Sequence, residues 1–231
     1  MRIDVLTLFP EMIQPVISQS IIGRAIMEIK LTVNVIDFRA YSTDKHRKVD
    51  DYPYGGGAGM VLKVEPVVRA LRAIDHHESA LKLLMTPQGK RYEQSDAKRF
   101  SASSHVIILC GHYEGFDERI REYFDEEISI GDFVMTGGEV AALAVIDSTI
   151  RLIPGILNKQ ASYEEDSFTD GLLEYPHYTR PREFEGKAVP EVLLSGDHAA
   201  IRAWRDMQAH KRTSTRRPDL YKQRNSKKKG E

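Results

Sequence analysis

Four glycine-containing segments of the chain each follow a short run of residues that predicts a β-strand. They span residues 54–59, 86–89, 111–115 and 130–139. Glycine permits positive φ and lets the backbone approach a ligand closely, and ligands bind at the carboxyl ends of the strands of a parallel sheet. Ordinary turn chemistry explains any one of these segments equally well. Four of them together favour a single small-molecule pocket.

Two well-known ligand-binding patterns are missing from these segments, which disfavours some classes of ligand for the pocket. The phosphate-binding pattern G-x-x-x-x-G-K-[ST] does not occur in the sequence. The dinucleotide pattern G-x-G-x-x-G also fails, because Gly57-Ala58-Gly59 continues to Leu62 rather than to a third glycine. An ATPase and an ordinary dehydrogenase are therefore disfavoured.

The single cysteine, Cys110, excludes an internal disulfide framework and a cysteine-based zinc cluster. It ends an apolar run at residues 106–110, where a small buried hydrophobic side chain is a better interpretation than a nucleophile. A reaction that needs a nucleophilic cysteine is therefore disfavoured.

The elements that would carry these segments alternate along the first 150 residues. Short β-branched runs predict strands, and apolar residues at helical spacing predict helices. The alternation predicts an α/β fold with a parallel sheet that has helices on both faces. The predicted strands span residues 3–9, 31–38, 81–85, 106–110 and 128–130, and the predicted helices span residues 12–29, 64–77 and 138–152.

The composition changes after this region. Pro154-Gly155 ends the last helical pattern. Residues 157–175 then lose their apolar periodicity and collect acidic side chains, which predicts a flexible interdomain linker. We expect a ligand-binding domain at residues 1–156 before this linker, and a small, mainly helical, basic C-terminal domain at residues 176–231 after it.

The charge distribution is uneven, although the formal net charge of the 231 residues is only −1. Residues 201–231 carry a local charge of +8, whereas the rest of the chain carries −9. Asp197 is the predicted N-cap of a basic helix that ends near residue 211. A basic end on an acidic body indicates a polyanionic partner such as nucleic acid, and a solvated tail without a partner is the alternative.

The sequence offers no candidate for a membrane span. The longest uninterrupted apolar run, residues 140–146, has seven residues, far fewer than a span needs. Asp4 stands where a signal peptide would begin its apolar stretch. With 41% hydrophobic and 29% charged residues, the composition is typical of a globular protein, and we expect a cytoplasmic one without membrane contact.

Longer motifs, ordered along the chain, are more specific. They are HRKVDD and PYGGGAGM within residues 46–60, TPQG at residues 86–89, and residues 110–119, 129–139, 165–168, 176–181 and 193–196. From Phe9 to about Pro218, the chain resembles the bacterial tRNA (guanine-37-N1)-methyltransferase family, the TrmD family of the SPOUT class. The resemblance implies a deep trefoil knot in the α/β domain, which general topology rules make rare.

The resemblance also implies a reaction and its partners. The family transfers the methyl group of S-adenosyl-L-methionine to N1 of guanine 37 in tRNA, next to the anticodon, and uses Mg²⁺. Its members are obligate homodimers whose active site lies between the subunits. We therefore expect S-adenosyl-L-methionine as the cofactor, Mg²⁺ at an unknown site, tRNA with guanine at position 37 as the substrate, and a second copy of the chain as a partner.

Two residues match the catalytic positions of the family. Asp166 would be the general base that removes the proton from guanine N1. The alternative is an acid that favours a helix N-terminus, beside the capping-box pattern Ser162-x-x-Glu165. Arg151 would stabilise the negative charge that develops on guanine O6, and the alternative is a cation near a helix C-terminus.

The cofactor pocket that the resemblance implies is rich in apolar residues and glycines, whose backbone groups can bind the adenine edge. Glu114 has three interpretations: a carboxylate near the cationic sulfur, a tentative ligand of Mg²⁺, or an exposed glutamate without a role. The pocket residues are Leu84, Met85, Thr86, Pro87, Gln88, Gly111, Tyr113, Glu114, Gly115, Ile130, Gly131, Asp132, Phe133, Val134, Met135, Gly137 and Gly138.

The candidate tRNA-binding residues combine two short segments with the basic C-terminal helix. Lysine and arginine would neutralise phosphates, and the flipped guanine would be recognised on its Watson–Crick edge. We expect the segment that carries Asp166 to become ordered only when tRNA binds. The candidates are His46, Arg47, Lys48, Asp50, His177, Tyr178, Arg180, Arg202, Lys211, Arg212, Arg216 and Arg217.

Two other functions stay open. A knotted ribose 2′-O-methyltransferase is the nearest alternative among enzymes, although the Asp166 and Arg151 motifs count against it, because a ribose has no N1–H and O6 edge. A non-catalytic RNA-binding module is the alternative from another class. Such a module would not bind S-adenosyl-L-methionine.

Overall fold

A computed structural model describes residues 1–157 and 166–228 of the chain. The contacts between residues divide the chain into two compact units, Met1–Asn158 and Lys159–Glu231. The capping box predicted at Ser162 and Glu165 and part of the predicted linker lie outside the described residues.

The first unit is built on a five-stranded sheet in which all neighbouring strands run parallel. The prediction of a parallel α/β fold is confirmed, and the knot stays a prediction. The sheet order is β2-β1-β6-β5-β7, and β3 and β4 form a separate antiparallel pair. The strands are β1 (Arg2–Thr7), β2 (Thr32–Asp37), β3 (Asp50–Asp51), β4 (Val61–Leu62), β5 (Leu81–Arg91), β6 (His105–Cys110) and β7 (Glu126–Ser129).

Helices cover both faces of this sheet, as the alternating pattern predicts. Four helices share one core cluster, which contains Ile13, Phe100 and Val145. A fifth helix belongs to the cluster on the other face, which contains Phe38 and Leu71. The four are α1 (Pro10–Ile17), α2 (Ser20–Met27), α4 (Gln94–Ser101) and α5 (Glu139–Ile150), and the fifth is α3 (Val64–Arg72). All six residues of β6 are buried, because this central strand has apolar neighbours on both faces.

The single helix predicted over residues 12–29 is wrong, because two helices occupy this region. The backbone N–H of Ser18 donates to Gln14 O at the end of α1, and Ser20 then adopts a φ of 54° that turns the chain. Gly23 packs against this turn, where a Cβ would lie 2.2 Å from the carbonyl oxygen of Ser18. The apolar periodicity runs through the break because both helices bury residues in the same core.

The strand predicted at residues 81–85 is too short. β5 continues to Arg91, with a shift of register: Met85 and Lys90 both pair with Ile128 of β7. Gly89 lies in this irregularity, so close to β7 that a Cβ would be 2.4 Å from the backbone nitrogen of Ile128. The segment at residues 86–89 is therefore a bulge within a strand, not a loop after one.

The other predicted elements occur with shifted ends. The helix predicted to end at residue 77 ends at Arg72, and the strand predicted at residues 128–130 is β7, which begins at Glu126. Element boundaries are set by capping and side-chain hydrogen bonds, to which apolar periodicity is insensitive.

The described residues of the second unit form two α-helices, α6 (His198–Arg216) and α7 (Pro218–Lys228). Asp197 is the N-cap of α6, as predicted, and its carboxylate accepts hydrogen bonds from the backbone of Ala199 and Ala200 at 2.9 and 3.0 Å. The helix extends five residues beyond the predicted end at 211. A short antiparallel pair, β8 (Glu183–Phe184) and β9 (Lys187–Ala188), precedes it.

Part of the predicted linker, residues 166–175, packs against these helices. The hydroxyl of Thr213, buried in α6, accepts a hydrogen bond from the backbone N–H of Leu173 at 2.8 Å. In α7, Arg224 donates to the carbonyl oxygen of Asp170 at 2.9 Å. Within residues 1–157 and 166–228, no helix combines the length and apolar character that a membrane crossing requires.

Candidate functional site

A cavity of about 430 Å³ opens in the first unit beside the bulge of β5 and the carboxyl ends of β6 and β7. It is lined by parts of three of the four glycine-containing segments, those at residues 86–89, 111–115 and 130–139. Three segments that are distant in sequence thus meet because their strands are neighbours in one parallel sheet.

The fourth segment, residues 54–59, does not line the cavity but supports one of its walls. A Cβ at Gly59 would lie 2.4 Å from Cγ of Glu114, so glycine is needed for this close approach. The backbone N–H of Glu114 donates to Met60 O at 3.0 Å, and that of Leu62 donates to Gly115 O at 2.9 Å. The expectation that all four segments line one pocket is therefore wrong for this segment.

The predicted cofactor residues line the cavity with the exception of Leu84 and Asp132. Side chains alternate along β5, so Met85 lies in the core cluster beside the cavity while Leu84 is buried in the cluster on the other face. The side chain of Asp132 is 86% exposed and pairs with Arg91 at 2.8 Å.

The inner end of the cavity depends on close contact between β6 and the start of α5. The backbone N–H of Gly138 donates to Gly111 O at 2.8 Å. A Cβ on Gly138 would lie 2.9 Å from Cα of Cys110, so only glycine fits there. This contact holds the first turn of α5 at the cavity, which Gly138 and Ala141 line.

A buried polar cluster stands behind this contact. Glu139, the first residue of α5, is 1% exposed, and its Oε1 accepts a hydrogen bond from the hydroxyl of Thr7 at 2.7 Å. Its Oε2 lies 3.6 Å from Nδ1 of His112, whose ring packs on Phe9 with centroids 4.5 Å apart. Burial raises the pKa of the Cys110 thiol well above its usual range, and the Glu139 carboxylate raises it further.

Sequence reasoning missed several residues of the cavity. His112 lies within the predicted segment at residues 111–115 and Phe116 follows it directly, so the glycine pattern alone could have included them. Glu118 and Arg121 lie on a 3-10 helix, Glu118–Tyr123, which apolar periodicity does not predict. The remaining missed residues are Ile128, Ser129, Thr136 and Ala141.

The two predicted catalytic residues belong to different units. Arg151 is half-buried and is the C-cap residue of α5 in the first unit. Asp166 is half-buried in the second unit, where its carbonyl oxygen accepts a hydrogen bond from the backbone of Thr169 at 3.3 Å. Their roles stay predictions.

The predicted tRNA-binding residues of the first unit surround a tight turn. The carboxylate of Asp44 accepts hydrogen bonds from the backbone of His46 and Lys48, and these bonds lower its pKa. The side chains of His46, Arg47 and Lys48 are exposed around it. Asp50 is half-buried in β3.

The predicted tRNA-binding residues of the second unit differ in their exposure and in their contacts within the protein. Arg217 forms an ion pair with Asp219 at 2.7 Å, and Arg212 donates to the carbonyl oxygen of Glu174 at 3.3 Å. Tyr178 is half exposed, with its ring centroid 6.4 Å from that of Trp204. His177, Arg180, Arg202, Lys211 and Arg216 are exposed.

A resident metal site finds little support among the described residues. None of their His, Cys, Asp and Glu side chains form a group of three or more that could hold a metal ion. Glu114 is an exposed carboxylate at the cavity. A single carboxylate fits Mg²⁺ only when the substrate and water supply the other ligands.

Comparison with known proteins gives one consistent result. The family model described as tRNA (Guanine-1)-methyltransferase TrmD matches residues 1–223. Curated relatives from Staphylococcus carnosus and Staphylococcus epidermidis are 55% and 54% identical over 95% and 96% of this chain, and 90% and 91% of their own lengths. A relative from Listeria innocua is 52% identical over 96% of this chain and 92% of its own. Each is named tRNA (guanine-N(1)-)-methyltransferase.

Proposed function

The chain belongs to the TrmD family of tRNA (guanine-1)-methyltransferases, and from that premise we propose that it methylates N1 of guanine 37 in tRNA, with S-adenosyl-L-methionine as methyl donor. The family implies a methyltransferase that depends on this donor and acts on tRNA. The observation that carries the proposal is the family match over residues 1–223. The cavity at the carboxyl edge of the sheet supports it with a site of suitable size and lining.

The chemistry requires a base, because N1 of neutral guanine carries a proton and has no free lone pair. The sulfonium of S-adenosyl-L-methionine supplies an already activated methyl group. The protein must therefore hold the two reactants in line, take the proton from N1 and stabilise the charge that develops on O6. Alignment of two bound reactants can contribute as much as roughly 7–11 kcal/mol.

Asp166 is our candidate for the base. A carboxylate can accept the N1 proton as the methyl group is transferred, and a positioned base typically contributes about 10²–10⁴-fold in rate. The Asp166→Asn variant should bind S-adenosyl-L-methionine normally in calorimetry and lose activity by this factor in single-turnover assays with tRNA.

Asp170→Asn is the matched control for that variant. Asp170 is an exposed carboxylate four residues away that forms an ion pair with Arg224 at 3.1 Å, and its replacement should leave the single-turnover rate within about twofold of wild type. A single-turnover rate for Asp166→Asn as high as that of the control would show that Asp166 is not the general base.

Arg151 is our candidate for the group that meets guanine O6. A guanidinium carries two donors side by side and stays charged, so it can hold an oxygen that becomes more negative during the reaction. The match to the catalytic position of the family supports this role, and Arg151 lies at the C-terminal end of α5, the helix whose first turn borders the cavity.

We further propose that Mg²⁺ takes part, with Glu114 as a protein ligand. The exposed carboxylate at the cavity supports either this role or electrostatic stabilisation of the cationic sulfur. The Glu114→Gln variant and the wild type should then differ in how methyl transfer depends on added Mg²⁺. The same dependence on Mg²⁺ in both proteins would show that Glu114 is not a ligand of the metal.

The remaining partners are tRNA and a second copy of the chain. Large apolar side chains are exposed in the first unit: Met27, Ile29 and Val134 are 78%, 88% and 83% exposed. The family implies an obligate homodimer, and we propose that these side chains are covered in it. If the active site lies between subunits, co-expressing Asp166→Asn with Thr136→Trp, a variant at an exposed residue of the cavity wall, should give mixed dimers that recover part of the activity that each variant lacks alone.

Nucleoside analysis of the product is the decisive test. A tRNA transcript with guanine 37, incubated with the protein and S-adenosyl-L-methionine, should yield 1-methylguanosine on mass spectrometry, and a transcript with adenine 37 should not. A 2′-O-methylated nucleoside would indicate the ribose methyltransferase instead. Failure to bind S-adenosyl-L-methionine in calorimetry would indicate a non-catalytic RNA-binding module.

We propose the cytoplasm as the location, where tRNA is modified.

A further inference from the structure

Arg121 occupies an unusual place at the cavity. It lies on the 3-10 helix Glu118–Tyr123, and its side chain is only 21% exposed. Each arm of its guanidinium has a different acceptor: Nε donates to Glu118 Oε2 at 2.9 Å, Nη2 to Gln88 Oε1 at 2.5 Å, and Nη1 pairs with the carboxylate of Glu127. One side chain therefore joins the bulge of β5 and the strand β7 to the 3-10 helix.

The contact with Gln88 fixes which way its carboxamide is turned. A guanidinium carries donors only, so the group that faces it must be the amide oxygen, since the NH₂ group would present a donor to a donor. The oxygen is therefore occupied by Arg121. The NH₂ group is left to donate elsewhere, and the contacts of the described residues include no acceptor for it in the protein.

The backbone also holds Gln88 in place. Its N–H donates to the hydroxyl of Thr86 at 3.3 Å, and the next residue, Gly89, is pressed against the backbone of β7. Both Gln88 and Arg121 line the cavity. The bulge of β5 therefore holds the Gln88 carboxamide at the cavity with its NH₂ group free to donate. The expected ligand, S-adenosyl-L-methionine, carries oxygen atoms that could accept this hydrogen bond.

We propose that Arg121 is a positioning residue, which orients the Gln88 carboxamide so that its NH₂ group donates to an oxygen of S-adenosyl-L-methionine. The inference rests on the proposed function, because it takes this cofactor as the occupant of the cavity. The acceptor is a ribose hydroxyl or the methionine carboxylate, which share the chemistry of an oxygen lone pair. Arg121 acts through Gln88 and does not contact the cofactor itself.

Isothermal calorimetry of the full chain tests this with S-adenosylhomocysteine as the probe. Arg121→Ala and Gln88→Ala should each raise its Kd about 3- to 10-fold, the effect of one lost hydrogen bond. The double variant should bind no more weakly than Gln88→Ala, because Arg121 has nothing left to orient. Gln88→Glu, which keeps the acceptor for Arg121 but has no NH₂ group, should bind at least as weakly as Gln88→Ala.

A second probe, 5′-methylthioadenosine, identifies the acceptor because it retains the ribose and lacks the methionine carboxylate. Losses that persist with this probe place the contact on the ribose, and losses seen only with S-adenosylhomocysteine place it on the carboxylate. Either pattern supports the proposal.

Arg99→Ala is the matched control. Arg99 also forms an ion pair with β7, through Glu126, the residue before Glu127, but it does not line the cavity. Replacing Arg99 tests whether the loss of an ion pair to this strand is enough to weaken binding. The Kd of Arg99→Ala for S-adenosylhomocysteine should stay within about twofold of the wild-type value.

Three results would overturn the proposal: an unchanged Kd for Arg121→Ala, a double variant whose loss is the product of the two single losses, or a Gln88→Glu variant that binds as the wild type does. Because Gln88 is exposed, its variants remain informative even if Arg121→Ala fails to fold. If the wild type binds neither probe, the proposed function fails, and that outcome is distinct from an unchanged Kd in the variants.

Discussion

Replacement of Thr7 by valine tests whether the buried cluster behind the cavity stabilises the first unit. The Thr7 hydroxyl makes two hydrogen bonds: it donates to Glu139 Oε1 at 2.7 Å and accepts from the backbone N–H of Phe9 at 2.9 Å. Thr7 and Glu139 are 0% and 1% exposed. Valine has the same shape, so the substitution removes both hydrogen bonds and leaves no cavity.

The expected loss follows from the kind of bond removed. A hydrogen bond to a buried charged group contributes about 1.5–3 kcal/mol, and a neutral backbone bond about 0.5–1.5 kcal/mol. Because Glu139 is 1% exposed, its carboxylate has little access to a replacement donor from solvent. We expect Thr7→Val to lower the free energy of unfolding by about 2–4.5 kcal/mol.

Urea denaturation, followed by far-UV circular dichroism, measures this loss. Thr7→Ser is the control, because it keeps the hydroxyl and removes one methyl group, at a cost of about 1 kcal/mol. Trp204, the single tryptophan, lies in the second unit and gives a separate fluorescence signal. A Thr7→Val variant that is as stable as Thr7→Ser would refute the importance assigned to the hydroxyl.

Three further substitutions probe the catalytic candidate, the cysteine and the ion pairs of the sheet edge. Arg151→Lys should lower the single-turnover rate about 10²–10³-fold while cofactor binding stays normal in calorimetry; an undiminished rate would indicate a cation that only caps α5. Cys110→Ala should remain active, and Cys110 of the native protein should not react with a thiol reagent until urea unfolds the chain, since its thiol is 1% exposed and its pKa is raised. Burial raises the pKa of Asp96, but hydrogen bonds from Lys90 and Arg99 outweigh this and lower it overall. The ionised carboxylate therefore stabilises the fold above about pH 4, and this contribution is lost as the pH falls through the lowered pKa. Asp96→Asn should cost about 1–3 kcal/mol at pH 7 in urea denaturation and progressively less below pH 4; a loss that does not depend on pH would contradict this account.

The sequence by itself determined the architecture of the first unit. The continuous apolar run of β6 predicts a strand buried on both faces, and the alternation of such runs with helical patterns predicts the parallel sheet. These signals are local, because each lies within one element and repeats at the period of that element. The buried thiol of Cys110 and the N-cap at Asp197 follow from local sequence for the same reason, and both are confirmed.

The family and the cofactor segments could also be predicted from sequence, since long motifs keep their order along the chain. The exact ends of the helices and strands could not be predicted from sequence. Periodicity passes through the break at Ser18 and Ser20 because α1 and α2 face one core, and it gives no sign that β5 continues past the bulge before Lys90. In both places the conformation is set by close backbone contacts at Gly23 and Gly89, which depend on residues in other elements or turns.

Tertiary structure alone decided which side chains meet at the cavity. Thr7 and Glu139 are 132 residues apart, and Gln88 and Arg121 are 33 apart, yet each pair shares a short hydrogen bond. Such pairs carry no period or motif, because their partners are chosen by the order of strands in the sheet rather than by neighbours in the chain. The sequence determined which strands form, and the packing of those strands determined that Arg121 faces Gln88.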